Sequence, residues 1–264
     1  MAETLAGMFR EKVSKMKDYK MKAEAEFDIA YSTGFLSFDF LNGSVVHVKN
    51  ETMDFKYNSI GIPEGSLCTF IGRSSSGKST LINQMAANII RPFPNAVIYE
   101  DMAEATGMNH ARLETITGFT PEEINTKYII RDRGITAENF YERIKMIHDM
   151  KMGARENFEY DTGMYDPTGN RIFKLEPTVY ILDSLALLMP ETYTEEDELS
   201  GNMAATATAR VIAGIFRRIC GMLKGANIIL LVINHINQKV QTGFFPTKAD
   251  LSYLKQDETI NKVA

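Results

Sequence analysis

Short, continuous apolar runs alternate with longer amphipathic stretches from residue 67 onward. The runs are LCTFI at 67–71, AVIY at 96–99, YII at 128–130, VYILD at 179–183 and IILLVI at 228–233. Strands without polar alternation are typically buried on both faces, as in parallel sheets that helices cover. The pattern therefore predicts an α/β fold with a central, mostly parallel sheet flanked by helices.

The amphipathic stretches predict those helices. The segment TPEE at 120–123 has the spacing of a capping box with proline at the first helical position, and Gly118 suits the end of a preceding helix. Thr136 is a candidate N-cap for a further helix. Residues 203–224, rich in alanine with apolar side chains at helical spacing, predict the longest helix of the chain.

Three segments depart from this alternation. Residues 3–26 carry apolar side chains at helical spacing, which predicts an N-terminal helical arm within residues 1–30, ahead of a core at 31–264. Residues 45–59 and 153–177 are polar and contain turn signals, so we expect surface hairpins or loops there.

Composition narrows the class of protein. The chain has 264 residues, of which 44% are hydrophobic and 24% charged, values typical of a soluble globular protein rather than a fibrous or disordered one. The 34 acidic residues outnumber the 29 basic ones, giving a net charge of −5. This charge excludes a general attraction of the whole surface to nucleic acid, although it leaves room for a local basic patch.

Cysteine usage and hydropathy indicate the compartment. Cys68 and Cys220 each occur in an apolar segment, which predicts small buried side chains in a reducing compartment. The longest strongly apolar stretch, Ile228 to Ile233, has six residues, whereas a membrane-spanning helix needs about 20. We therefore expect a soluble, cytoplasmic protein without a membrane partner.

The segment GRSSSGKS at 72–79 matches the phosphate-binding pattern GxxxxGK[ST] in full, between a predicted strand and a predicted helix. In such a loop the backbone N–H groups face phosphate oxygens, and the start of the helix adds a favourable field. Lys78 would reach the β and γ phosphates of ATP, and the Ser79 hydroxyl would bind Mg²⁺. The predicted nucleotide-binding residues are Gly72, Arg73, Ser74, Ser75, Ser76, Gly77, Lys78, Ser79 and Thr80.

Magnesium needs a second protein contribution, from an acid at the end of a neighbouring buried strand. Asp183, which ends the VYILD run, has that position. A carboxylate after four apolar residues could also be a helix cap, but its pairing with the phosphate-binding segment favours a magnesium site. We therefore expect Ser79 and Asp183 to be the metal-binding residues.

Hydrolysis also needs a group that orients the attacking water. The AVIY run is followed by Glu100 and Asp101, with Glu104 one helical turn later. A carboxylate there can accept a hydrogen bond from that water, with Glu100 the first choice, or these acids only cap the next helix. His235 follows the IILLVI run, where an imidazole can bind a γ-phosphate or be purely structural.

Several segments together resemble the signatures of the RecA recombinase family. They are YSTGFLSFD at 31–39, GIPEG at 61–65 and the phosphate-binding segment, in that order. The later run from LDSLALLMPE to VINHINQKV is similar to the family's magnesium-aspartate strand, first DNA-binding loop, long helix and sensor strand. The tripeptide INH at 233–235 looks more like the phage-type UvsX recombinases than the bacterial ones, which implies a protein acting in the cytoplasm of a phage's bacterial host.

The resemblance implies a DNA-dependent ATPase that uses ATP and Mg²⁺. Such a protein binds single-stranded DNA as a helical filament and promotes homologous pairing and strand exchange in recombination and repair. The N-terminal arm would then pack on a neighbouring subunit, and single-strand-binding and mediator proteins are the further partners implied. His235 would couple the state of the γ-phosphate to a second DNA-binding loop at about 237–261.

The resemblance also implies DNA-binding residues. The first loop, at 191–203, is strongly acidic, so DNA contact would rely on Gly201, Asn202, Met203 and the neighbouring Arg210. The second loop interleaves basic and aromatic residues, which neutralise phosphates and stack on bases. Its candidates are Lys239, Phe244, Phe245, Lys248 and Lys255.

Two alternatives remain open. One is a hexameric DnaB-type replicative helicase, which would form rings, and the other is a KaiC-like or mediator ATPase without strand exchange. The paired acids Glu100 and Asp101 look closer to those of KaiC-type ATPases. Against the family pattern the chain ends at Ala264, before the last strands of the core. We therefore expect a fragment, or a sheet completed by a neighbouring chain, with the IILLVI strand as an exposed edge.

Overall fold

The computed structural model describes residues 29–42, 44–49, 54–102, 110–165, 169–191 and 202–236. The predicted N-terminal arm lies outside these ranges. Residues 192–201 and 237–264 also lie outside them, and these residues include most of the first predicted DNA-binding loop and all of the second. What the sequence predicts for these segments therefore stays a prediction.

The described residues form alternating strands and helices. The strands are β1 (Ala30–Tyr31), β2 (Ser44–Lys49), β3 (Asp54–Ser59), β4 (Ile62–Pro63), β5 (Leu67–Gly72), β6 (Ile98–Met102), β7 (Tyr128–Arg133), β8 (Glu159–Tyr165), β9 (Arg171–Leu175), β10 (Thr178–Asp183) and β11 (Ile228–His235). The helices are α1 (Leu36–Leu41), α2 (Lys78–Ile90), α3 (His110–Thr117), α4 (Pro121–Lys127), α5 (Ala137–Gly153) and α6 (Asn202–Gly225). Short 3₁₀ turns occur at Arg155–Asn157 and Leu185–Leu187.

Five strands form the central sheet, in the order β5-β11-β10-β6-β7. Every neighbouring pair in it is parallel. The carboxyl ends of all five strands therefore lie at one edge, which we call the carboxyl edge. The α/β fold with a parallel central sheet, predicted from the apolar runs, is confirmed.

Helices cover both faces of this sheet. One face, which we call the α2 face, is covered by α2, α3 and α4. The core on this face includes Ile82, Ile89, Leu113, Ile124, Ile98, Val179, Ile181, Ile229 and Leu231. The opposite face, which we call the α5–α6 face, is covered by α5 and α6. The core on this face includes Phe140, Ile144, Ile215, Ile219, Tyr99, Tyr180, Leu182, Leu230 and Val232. Successive strand residues thus alternate between the two cores, as the pleat of a strand requires.

The position of β11 corrects two predictions. β11 lies between β5 and β10 with residues 228–233 fully buried, so it is an interior strand and not an exposed edge. The chain returns through α6 into the gap between β10 and β5, so the order in the sheet differs from the order along the sequence. The two edge strands of the sheet are β5 and β7. In β5, Leu67 is 37% and Ile71 47% exposed, so predicting LCTFI as buried on both faces was wrong.

The predicted helix ends are confirmed. At the start of α4, the Glu123 N–H donates to Thr120 Oγ1 at 3.2 Å, and the Thr120 N–H donates to the Glu123 carboxylate at 2.8 Å. Thr136 caps α5 by accepting a hydrogen bond from the Asn139 N–H at 3.2 Å. Gly118 follows α3 with a φ of 68°, in the left-handed region that glycine tolerates. Local sequence therefore determines where these helices begin and end.

Both polar segments form antiparallel hairpins, as predicted. β2 pairs with β3, and β8 pairs with β9. The β8–β9 hairpin is anchored at the far end of α2 from the carboxyl edge, where the Tyr160 ring lies 4.8 Å from that of Phe93. It is therefore remote from the phosphate-binding segment.

The two thiols differ in their surroundings. Cys68 is half-buried in β5, and burial raises its pKa. Cys220 is exposed on α6, which corrects the prediction that both are buried. Both are free thiols.

No helix within the described ranges is long and apolar enough to cross a membrane.

Candidate functional site

The phosphate-binding segment connects β5 to α2 through a tight loop. Ser75 and Gly77 have left-handed φ angles of 59° and 85°, which turn the chain back before α2 begins at Lys78. A Cβ atom on Gly72 would lie 3.1 Å from Ser76 Oγ and 3.4 Å from the Lys78 side chain. The two glycines of the pattern therefore provide a sharp turn and a close approach.

The Lys78 ammonium lies inside this loop. Lys78 Nζ donates to the carbonyl oxygen of Gly72 at 3.1 Å and to that of Arg73 at 2.7 Å. It is also 3.4 Å from His235 Nδ1, at the end of the neighbouring strand β11. The loop and the end of β11 thus hold the Lys78 ammonium at the carboxyl edge.

Ser79 and Asp183, the predicted metal-binding residues, are in contact. The Ser79 hydroxyl donates a 2.6 Å hydrogen bond to Asp183 Oδ2, which joins the first turn of α2 to the end of β10. Magnesium binds proteins through oxygen atoms, commonly one or two carboxylates together with phosphate and water. This donor set therefore fits Mg²⁺.

A cavity of about 460 Å³ opens beside the loop, within the size range of small-molecule sites. Its lining consists of Ser74, Ser75, Ser76, Gly77, Lys78, Ser79, Thr80, Glu100, Met102, Arg112, Asp183 and His235. The cavity thus brings together most of the predicted site. Gly72 and Arg73 are not part of the lining and contribute carbonyl oxygens to Lys78 instead.

Glu100 and Asp101 point to opposite faces of the sheet. The Glu100 carboxylate lines the cavity and accepts a 3.2 Å hydrogen bond from Asn83 Nδ2 of α2. The Asp101 carboxylate is buried on the α5–α6 face, where it forms an ion pair with Arg143 and accepts a hydrogen bond from the Tyr180 hydroxyl. The structure therefore brings Glu100 into the site and leaves Asp101 out of it. Glu104 lies outside the described residues.

The cavity also contains residues that the sequence did not single out. Met102 lies two positions beyond Glu100 on the same strand, so the alternation of β6 could have predicted it. Arg112 of α3 donates a 3.3 Å hydrogen bond to Thr80 Oγ1. No pattern in the sequence indicates Arg112, because its place depends on how α3 packs beside α2.

The predicted DNA-binding residues are only partly described. Asn202 and Met203 begin α6, and Arg210 is exposed on that helix. The others lie outside the described residues; they are Gly201, Lys239, Phe244, Phe245, Lys248 and Lys255. The sequence of α6 contains no acidic residue, and its four basic side chains are all exposed: Arg210, Arg217, Arg218 and Lys224.

Comparison with known proteins gives one result that bears on this arrangement. The chain is 24% identical to the protein RecA of Bdellovibrio bacteriovorus over 193 residues. This match supports a distant RecA-family relationship. It covers 73% of this chain and 42% of the relative, so the chain spans less than half of that relative's length. No protein-family profile matches the chain.

Proposed function

We propose that this protein is a magnesium-dependent ATPase of the recombinase type. The observation that carries the proposal is the convergence of Lys78, the Ser79–Asp183 pair, Glu100 and His235 on one cavity. The phosphate-binding loop and the ends of three neighbouring strands supply these side chains. The similarity to RecA supports the same chemistry.

The loop would hold the phosphates of ATP. Backbone N–H groups at 74–80 bind phosphate oxygens, and Lys78 exchanges its carbonyl contacts for the β and γ phosphates. Ser79 and Asp183 would hold Mg²⁺, which when bound neutralises charge that develops on the phosphates. The rate then depends mainly on position and charge, because phosphoryl transfer requires little covalent chemistry from the protein.

Glu100 is the proposed water-orienting carboxylate. It is buried at the cavity wall, so it accepts a hydrogen bond from a water molecule and holds that water near the γ-phosphate. Asp101 has a different role because its carboxylate is bonded to Arg143 and Tyr180 on the other face. That Glu100 lines the cavity and Asp101 does not supports Glu100 over Asp101 for this role.

His235 is the proposed sensor of the γ-phosphate. Its ring lies 3.4 Å from the Lys78 ammonium, and the next residue, Ile236, donates its N–H to the Gly72 carbonyl oxygen at 3.2 Å. The backbone that leads into the second predicted DNA-binding loop is therefore tied to the phosphate-binding loop. A change in the phosphates would move that loop through these contacts.

The proposal includes binding to single-stranded DNA and assembly into a filament. The net charge of the chain is −5, but α6 contains no acidic residue. Its three exposed arginines, Arg210, Arg217 and Arg218, would provide the local basic surface that phosphates require. α6 leads from the carboxyl edge, where β10 ends, back to the opposite edge, where β11 begins. Its first half, with Arg210, therefore lies on the nucleotide side of the molecule.

Electron microscopy tests the assembly. The protein is imaged with single-stranded DNA, Mg²⁺ and a non-hydrolysable ATP analogue, and we expect long helical filaments. Filaments that require both the analogue and Lys78 would support the proposal. Closed rings would contradict it and favour a helicase. Particles that do not bind DNA would also contradict it and favour a mediator ATPase.

A further inference from the structure

Asn83 is a polar side chain on the apolar, buried side of α2. It is fully buried, and its neighbours on that side include Ile82, Ala86 and Ile90. A buried amide costs free energy unless hydrogen bonds replace its contacts with water. Packing alone would favour an apolar residue here, so the hydrogen bonds of Asn83 explain its position.

The Asn83 amide connects the two halves of the proposed site. Its Nδ2 donates to the Ser79 carbonyl oxygen at 3.0 Å and to Glu100 Oε1 at 3.2 Å. Its Oδ1 accepts a hydrogen bond from the Tyr128 hydroxyl at 3.2 Å. One side chain thus links the residue proposed to bind magnesium with the carboxylate proposed to orient water.

Three hydrogen bonds together fix which way this amide points. A carbonyl and a carboxylate only accept hydrogen bonds, so the nitrogen of Asn83 must face Ser79 and Glu100. The Tyr128 hydroxyl donates to the oxygen on the opposite side. Its ring is packed in the α2-face core at the start of β7, so the hydroxyl is held in place by its surroundings.

We propose that Asn83 and Tyr128 are positioning residues that hold the Glu100 carboxylate in the orientation that ATP hydrolysis requires. This inference rests on the proposed ATPase function. Neither residue belongs to the lining of the cavity, so both act through Glu100 rather than on the nucleotide. Without them the Glu100 side chain would still line the cavity but would lose its fixed direction.

The Tyr128→Phe variant tests this directly, since it removes one hydroxyl and keeps the ring. We expect kcat for ATP hydrolysis to fall by roughly tenfold, within the range up to about 100-fold that a small misplacement costs. The KM for ATP and the Kd for ADP should not change. Tyr180→Phe is the matched control, because Tyr180 donates to the neighbouring acid Asp101 on the opposite face. Its kcat should equal that of the wild type.

A double-mutant comparison separates positioning from a general loss of stability. Asn83→Leu keeps the branched shape of the side chain but removes its hydrogen-bonding atoms, so it should lower kcat at least as much as Tyr128→Phe. In the Asn83→Leu background, Tyr128→Phe should then have no further effect, because its connection to Glu100 is already broken. A second, independent loss would contradict a shared route through Asn83.

The possible failures are distinguishable. A wild-type protein that does not hydrolyse ATP would contradict the proposed function. An active wild type with unchanged kcat in Tyr128→Phe and Asn83→Leu would overturn the positioning role alone. Crystal structures of wild type and Tyr128→Phe with Mg²⁺ and a non-hydrolysable ATP analogue give an answer without turnover. We expect Glu100 to rotate or become disordered in the variant, and an unmoved carboxylate would also overturn the inference.

Discussion

Glu100 and Asp101 are neighbours in the sequence with different environments, because β6 alternates between the two faces of the sheet. Glu100→Gln should lower ATP hydrolysis by roughly 10²–10⁴-fold, the range expected for loss of a group that handles a proton in the reaction. Nucleotide affinity should remain, since the phosphate-binding loop is untouched. Steady-state kinetics with a parallel ADP-binding titration make this measurement.

Asp101→Asn is the matched comparison for Glu100→Gln. It weakens a buried ion pair with Arg143, so we expect a lower melting temperature with kcat close to wild type. If Asp101→Asn removed hydrolysis and Glu100→Gln did not, the assignment of the water-orienting carboxylate would be reversed.

The sequence could show that these two acids face opposite sides of the sheet, but which side carries α2 is known only from the packing. In the run ending at Asp183, the residues Val179 and Ile181 share a face with Asp183, while Tyr180 and Leu182 lie on the other. Counting by twos along β6 likewise places Glu100 with Ile98, on the α2 face. The sequence does not reveal Arg143 or Tyr180 as partners of Asp101, because those contacts depend on tertiary packing.

Lys151 should make the free energy of unfolding depend on pH. Burial lowers its pKa from 10.5 to about 7, and the nearby Glu176 carboxylate opposes that shift. Between these values the unfolded chain binds a proton on Lys151 that the folded chain releases, so the free energy of unfolding should rise with pH from about 7 towards 10. Below pH 7 both states are protonated and this contribution is constant.

Urea denaturation of wild type and Lys151→Met at pH 7 and pH 9 checks this. The wild type should gain more stability over that interval than the variant. The variant should also be less stable at pH 9, because its side chain no longer donates to the Glu176 carbonyl oxygen at 2.7 Å and to Thr178 Oγ1 at 3.1 Å. Identical pH dependence in both proteins would contradict the assignment.

At the scale of elements, α6 offers an internal comparison for DNA binding. Arg210 and Lys224 are both exposed on this helix, but Arg210 lies towards the carboxyl edge and Lys224 near the opposite edge. Arg210→Ala should weaken binding to single-stranded DNA and reduce the slope of log affinity against log salt by about 0.7, the value for one phosphate contact on a single strand.

Lys224→Ala removes a similar charge from the far end of the same helix and should leave that slope unchanged. Fluorescence anisotropy over a range of salt concentrations measures both variants. Equal slopes for wild type and Arg210→Ala would remove this half of α6 from the DNA surface.

Local elements were predictable where short-range signals determine them. The capping box at Thr120 and the N-cap at Thr136 were found because side-chain and backbone groups a few residues apart satisfy each other. The hairpins followed from turn residues for the same reason. The burial of β5 was not predicted correctly, because apolar content alone does not show whether a strand has one neighbouring strand in the sheet or two.

At the scale of the whole molecule, the order of the strands brings the site together. Placing β11 between β5 and β10 sets His235 beside Gly72, and Asp183 within reach of Ser79. The sequence contained a hint of this order, since IILLVI is apolar throughout whereas LCTFIG includes Cys68 and Thr69. Strand order itself depends on the crossover connections, which hydropathy does not specify.

The most direct test of ATPase activity is the rate of phosphate release from ATP in the presence of Mg²⁺, measured for wild type and Lys78→Ala with and without single-stranded DNA. We expect magnesium-dependent hydrolysis by the wild type that single-stranded DNA stimulates. We expect no hydrolysis by Lys78→Ala, because the variant loses the cation that binds the β and γ phosphates. No phosphate release by the wild type, or an equal rate in Lys78→Ala, would contradict the proposed ATPase function.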